Sequence, residues 1–155
     1  MPDLKGFLVA QGLQHEFIEK EETHHAEHAS AATGIALNDI VKTLVFIDEN
    51  EKPLVAIVLA DSDVSRHKLQ SAANVKEAKI APQKDAERYA GFPTGGIPPL
   101  GHKHKMPVFV DAKVADKQAI WAGGGARTKM VKLNVADVIR INDAKVADIS
   151  MELRK

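Results

Sequence analysis

Lys42 stands in the run Ile40-Val41-Lys42-Thr43-Leu44-Val45-Phe46, a single ammonium with apolar neighbours on both sides. Such a lysine either snorkels to solvent along its own methylenes or holds a compact charge with three donors at the mouth of a pocket. The second role suits a phosphate or a carbonyl oxygen, although the local sequence by itself favours the first. Two glycine-rich segments, Gly95-Gly96-Ile97-Pro98-Pro99 and Gly123-Gly124-Gly125, offer a different chemistry. Glycines let backbone amides approach a ligand closely, and the prolines hold the loop in place, so such a segment recognises a ligand without side chains. Each segment taken alone also reads as an ordinary tight turn. Neither has the spacing of a dinucleotide or nucleoside-triphosphate loop.

Three further constellations are weaker. His24 and His28 are four residues apart and with His102 could complete a metal site, but the pattern lacks the His-Glu-x-x-His order, and a solvated helix face is favoured. Asp61-Ser62-Asp63 follows an apolar run, where carboxylates face a cleft or, more commonly, cap the next helix. Lys103, Lys105, Arg127, Lys129 and Lys132 flank the two glycine segments and would form a basic rim if those segments meet.

The elements that must position these residues follow from periodicity and punctuation. Helical spacing covers 3–11, with Gly12 as its stop, and a short strand covers His15 to Glu19. An alanine-rich helix spans 26–33, with Thr23 as a candidate cap and Gly34 at its end. The β-branched runs Lys42 to Asp48 and Pro53 to Ala60 flank a polar turn and predict a hairpin whose nearly continuous apolar residues are buried on both faces. Beyond it come a helix at 65–73 with Ser65 as cap, a strand at Ala78 to Ile80, and a helix from Pro82 to Ala90 closed by Gly91. The Gly- and Pro-rich stretch 91–101 is too constrained and too apolar for a linker. Strands at Val108 to Val110, Ala119 to Ala122 and Lys129 to Leu133, a helix at 134–139 and a strand near 145–149 complete the chain.

Composition bounds the class. The 155 residues carry 21 Lys+Arg and 21 Asp+Glu, are 45% hydrophobic and include no cysteine. This suits one domain (1–155) with a sizeable core, excludes disulfides and thiolate chemistry, and argues against a bulk basic surface. The longest apolar stretch, Leu54 to Ala60, is too short to span a bilayer, and the opening lacks a signal-peptide pattern. The expectation is a cytoplasmic protein without a membrane partner.

The order of these segments resembles one family, the YbaK-like aminoacyl-tRNA deacylases related to the editing domain inserted in bacterial prolyl-tRNA synthetases. The resemblance rests on Thr33-Gly34, Val41 to Phe46, Leu54 to Val58, Val64 to Leu69, Glu87 to Gly91, Gly95 to Gly101, Pro107 to Asp111, Trp121 to Gly125 and Leu133 to Ile139, which span most of residues 20–142. It implies a single α/β domain with a mixed, largely antiparallel sheet surrounded by helices, hydrolysing the ester of a mischarged tRNA. Lys42, Gly95 and Pro99 are then the residues carrying the reaction. Gly96, Ile97, Gly101, Gly123, Gly124, Gly125 and Asp61 would contact the substrate, and Lys103, Lys105, Arg127 and Lys129 the tRNA. The resemblance implies no cofactor, no metal and no DNA, Ala- or Cys-tRNA(Pro) as substrate type, and an aminoacyl-tRNA synthetase as a candidate partner. The sequence leaves the oligomeric state open. An inactive tRNA- or synthetase-binding module of the same fold is the alternative, and a metal-dependent hydrolase using His24, His28 and His102 a third.

Overall fold

The computed structural model describes residues 3–23 and 25–153. In chain order it contains α1 (Leu4–Ala10), β1 (His15–Glu19), α2 (Ala26–Thr33), a 3₁₀ turn (Leu37–Asp39), β2 (Val41–Asp48), β3 (Pro53–Leu59), β4 (Ser62–Val64) and α3 (Arg66–Ala73). There follow β5 (Ala78–Ile80), α4 (Gln83–Ala90), β6 (Val108–Asp111), α5 (Ala112–Ala115), β7 (Ala119–Gly123), β8 (Lys129–Asn134), α6 (Val135–Asn142), β9 (Lys145–Ala147) and β10 (Ser150–Glu152).

The expected hairpin is the centre of the fold. β2 and β3 pair antiparallel from Val41↔Leu59 to Ile47↔Pro53. At its turn the Asp48 carboxylate accepts from the amides of Asn50 and Lys52, at 2.8 and 3.0 Å. The pair lies within a five-stranded sheet of order β5-β2-β3-β6-β9, antiparallel on the β5 side and parallel from β3 through β9. The apolar runs are continuous because the sheet has a core on each side. Val41, Val45, Val55 and Ile57 face the larger core, and Phe46, Leu54, Ala56 and Val58 face the second. A three-stranded antiparallel sheet, β1-β8-β7, packs beside it, and β4 pairs with β10. The α/β class with mixed sheets and surrounding helices is as expected, though the strands divide among three sheets.

Local departures are small and physical. α2 begins at Ala26 with His25, not Thr23, at its cap position, and the Thr23 hydroxyl instead accepts from the Lys20 ammonium. α6 runs on to Asn142, and the strand expected near 145–149 is two, β9 and β10. Ile149, between these two strands, donates its amide at 2.9 Å to Asp111 at the end of β6, which is 1% exposed and caps α5 by accepting the Lys113 amide.

Candidate functional site

β5 pairs only with Phe46, Ile47 and Asp48, so the half of β2 that carries Lys42 and Thr43 is not covered by that strand. It is bordered instead by the second sheet, through a bridge between Ile40 and Trp121. A cleft of about 300 Å³ opens at this seam. Lys42 and Thr43 of β2 line it together with Gly95, Ile97 and Gly123 of the two glycine segments, Lys20, Asp63, Lys129, Met130 and the start of α2.

Lys42 Nζ lies 3.1 Å from Asp63 Oδ1, and the two side chains keep 20% and 38% of their exposure. Asp63 sits on β4, fixed there by pairing with Met151 of β10. An ammonium anchored by one carboxylate in a half-open cleft keeps its direction while still facing solvent. Beside it the Thr43 hydroxyl is buried with no hydrogen-bond partner among the described residues. Buried polar groups are normally paired, so an unpaired hydroxyl on a cleft wall is one that a ligand or water can satisfy. In the same cleft Lys20 donates to Thr23 and to the Arg127 carbonyl, and burial lowers its pKa against the opposing pull of Glu22.

The two glycine segments do meet, backbone against backbone. The Gly125 amide donates to the Gly96 carbonyl at 2.8 Å, and the Gly124 amide to the Lys129 carbonyl at 3.0 Å. A Cβ on Gly96 would stand 2.6 Å from the Ala126 carbonyl carbon, and one on Gly123 2.6 Å from the Ile97 oxygen. Glycine is required at both positions for space.

Lys42, Gly95, Ile97, Gly123 and Lys129 therefore converge on one cleft. Asp63 and Thr23 line it too, whereas the other site residues expected from the sequence do not. Gly96 joins the two loops behind it. The Pro99 carbonyl accepts from Asn142 Nδ2 at 2.8 Å, and Gly101 packs against Phe7 and Leu4. Gly124 and Gly125 face a separate cavity of about 330 Å³ with Phe17 and Phe92. Asp61 is exposed in a turn, and Asp63, two residues on, takes the place facing Lys42. α3 is capped by Ser65, which accepts from the Lys68 amide at 3.2 Å. Lys103 and Lys105 are exposed on a segment tied to the end of α4, where the Lys103 amide donates to the Ala90 carbonyl at 2.8 Å. The Arg127 guanidinium is committed within the chain, as described below.

Sequence reasoning missed Lys20 and Thr43 as parts of the cleft, and from the Asp61-Ser62-Asp63 motif it chose Asp61 rather than Asp63. The Asp-Ser-Asp motif was the available signal for Asp63; Asp61 lies in the turn before β4, whereas Asp63 is held within the strand, where it meets Lys42. Among the described residues, the histidines expected to group are engaged separately. His102 Nε2 is 2.7 Å from the Pro98 carbonyl, His28 borders a groove with Glu21 and Glu22, and His24 lies outside the described residues. Among the described residues no three His, Asp or Glu side chains are grouped for a metal ion. No helix there is long and apolar enough to cross a membrane.

The cleft thus combines an oriented ammonium with a fixed backbone segment. That arrangement can bind an anionic group at one end and polarise a carbonyl at the other. The profile of the aminoacyl-tRNA editing domain family matches residues 20–141. A protein of Enterococcus faecalis, provisionally named a Cys-tRNA(Pro)/Cys-tRNA(Cys) deacylase, is 26% identical over 137 residues, covering 88% of this chain and 84% of the relative. The proline–tRNA ligase of Geobacter metallireducens is 30% identical over 134 residues, which are 86% of this chain but 23% of the ligase. A crystal structure described, again provisionally, as a trans-editing enzyme for prolyl-tRNA synthetase superposes with a TM-score of 0.84 at 25% identity, covering 96% of this chain and 94% of the other.

Proposed function

This chain belongs to the aminoacyl-tRNA editing domain family, and we propose that it acts in trans, hydrolysing the ester that joins a mischarged small amino acid to tRNA. One observation carries the reading: the Asp63-anchored ammonium of Lys42 shares a cleft with the backbone of Gly95 to Ile97. The likeness to a structure described as a trans-editing enzyme for prolyl-tRNA synthetase supports action in trans.

In this mechanism Lys42 holds the phosphate or ribose of the terminal adenosine, and Asp63 holds Lys42. Backbone groups of the Gly95 to Ile97 segment fix the aminoacyl end and stabilise its carbonyl oxygen as negative charge develops. Water adds to the ester carbon, the bond to the ribose oxygen breaks, and that oxygen takes a proton, releasing free amino acid and tRNA. The neighbouring ribose hydroxyl orients the water. An activated ester needs little more than this positioning and charge stabilisation. Among the described residues neither cleft hydroxyl, Thr23 or Thr43, is hydrogen-bonded to a histidine or a carboxylate, so the mechanism does not call on a covalent intermediate.

Ile97, Ala29, Ile40 and Met130 give the cleft an apolar side, which suits alanine or cysteine as the amino acid removed. Editing of such small residues answers a physical limit, because one methylene discriminates by only about 1–3 kcal/mol in a binding pocket. The synthetase that produces the error is the natural partner for delivery of the tRNA.

The test is deacylation of Ala-tRNA(Pro) and Cys-tRNA(Pro) by wild type and Lys42→Ala, with and without chelator. Chelator-resistant turnover that drops about tenfold or more in the variant, at least about 1.4 kcal/mol of barrier, is expected. tRNA binding without turnover of either substrate would replace this reading with that of a binding module.

A further inference from the structure

A backbone site works only if the loops that form it are held still, and neither glycine segment lies within a helix or extended strand pairing of its own beyond Gly123. Thr94, the residue immediately before Gly95, is gripped at three points. Its amide and its hydroxyl both donate to Glu87 Oε2 of α4, at 2.8 and 3.3 Å, and its carbonyl accepts from Arg127 Nε at 2.8 Å. Arg127 belongs to the other glycine segment, and its terminal nitrogens face Glu87 at 3.7 Å and Glu22 at 3.8 Å. The Arg127 carbonyl in turn accepts from Lys20, which lines the cleft. One carboxylate and one guanidinium therefore join α4, both glycine segments and the strand end that carries Lys20.

We propose that Glu87 and Arg127 are positioning residues of the editing site, a clamp that fixes Thr94 so that Gly95 to Ile97 presents its backbone to the substrate. Neither side chain lines the cleft. The proposal rests on the editing reading above and assigns Arg127 a role other than contact with tRNA phosphates. The planar fork is what the geometry uses, since it donates to a carbonyl from Nε while its far edge faces two carboxylates; a lysine has a single point charge and cannot do both. The Thr94 amide also holds the Glu87 carboxyl below the usual range, with smaller help from Gln83 and Arg127, so the clamp stays charged in neutral solution.

The experiment compares wild type, Glu87→Ala, Glu87→Gln, Arg127→Ala, Arg127→Lys and the double alanine variant. Two readouts are taken: kcat and KM on the mischarged substrate, and amide hydrogen exchange at Gly96 and Gly125, which donate to Pro93 and Gly96 rather than to the clamp. The expected result is a fall in kcat of about tenfold or more in both alanine variants and in Arg127→Lys, as misplacement of a reacting group by about an ångström produces. KM should change far less, the double variant should be little worse than either single one, and Glu87→Gln, which still accepts from Thr94, should recover part of the loss. Exchange at Gly96 and Gly125 should accelerate in the same variants while the amides of β3 keep their protection. Activity retained in Arg127→Lys but lost in Arg127→Ala, with the salt slope of tRNA binding shallower by about 0.7–0.9, would identify a phosphate contact and overturn the clamp. Unchanged exchange at both glycines would overturn it as well. A wild type inactive on every substrate would remove the editing reading, and the exchange data would still decide whether the clamp exists.

Discussion

His102 illustrates how one side chain can serve the site without touching it. Its Nε2 lies 2.7 Å from the Pro98 carbonyl, so that nitrogen carries the proton and the ring braces the glycine- and proline-rich loop from below. Burial lowers its pKa, partly offset by the Pro98 carbonyl, which favours the protonated ring. The sign of the consequence follows. The unfolded chain takes up a proton near the ordinary histidine value of about 6.5, before the folded chain does, so the contribution of His102 is complete above that pH and declines as acidification proceeds toward the lowered folded value. Melting temperature should therefore be level above about pH 7 and fall on the acid side, and His102→Gln, whose amide can still donate to Pro98, should reduce that fall. Identical acid profiles for the two proteins would refute this account. A histidine that the sequence offers as a metal ligand is thus a loop support, a role set by a carbonyl four residues away.

At the scale of elements, the two glycine segments depend on one another for space. Neither Gly96 nor Gly123 has a positive φ, yet a Cβ at either would collide with backbone that cannot swing aside. Gly34 is the opposite case: its φ is +77° and nothing lies within 4 Å of an added Cβ. Gly96→Ala and Gly123→Ala should separate the loops and cut kcat/KM by about tenfold or more, whereas Gly34→Ala should cost about 1–2 kcal/mol of stability for its left-handed backbone and leave turnover in place. Steady-state kinetics beside thermal melts distinguish the two behaviours, and equal losses of activity at Gly34 and Gly96 would contradict them. The same contrast explains what the sequence made legible. The run His15–Glu19 was readable to its ends, and the β2–β3 hairpin to within one residue at the start of β2 and at the end of β3. β4, α5 and the 3₁₀ turn contain three or four residues, too few to show a period, whereas the equally short β5 was marked off by the Pro82 that follows it. Lys42, Gly95 and Gly123 carry their signal in residue type and neighbours. Asp63, by contrast, acquires its role from a lysine 21 positions away, and Arg127 from Thr94 and Glu87, so both are products of tertiary structure.

For the molecule as a whole, equal numbers of acidic and basic residues leave no general field to collect a polyanion. Cations that line the cleft are few: Lys20, Lys42 and Lys129, of which Lys42 faces Asp63 and Lys20 is engaged with Thr23 and Arg127. Arg127 stands between two glutamates, and under the proposed clamp it is not counted among the cations that meet tRNA. A substrate held by about three phosphate contacts should give a slope of log Kobs against log salt of about −2, a loss of about fifteenfold between 50 and 200 mM, where an extended basic surface loses 10³–10⁵. Fluorescence titration of labelled tRNA across that range measures the slope directly. A value near −2 means that affinity for the body of the tRNA must come from elsewhere, and adding the cognate synthetase should then tighten binding without steepening the slope. A value near −5 would bring the exposed Lys103, Lys105 and Lys132 into contact with the acceptor stem, and their substitution by alanine should then flatten it by about 0.7–0.9 per lysine. The two outcomes separate an editing domain that depends on its partner for the substrate from one that finds the substrate by itself.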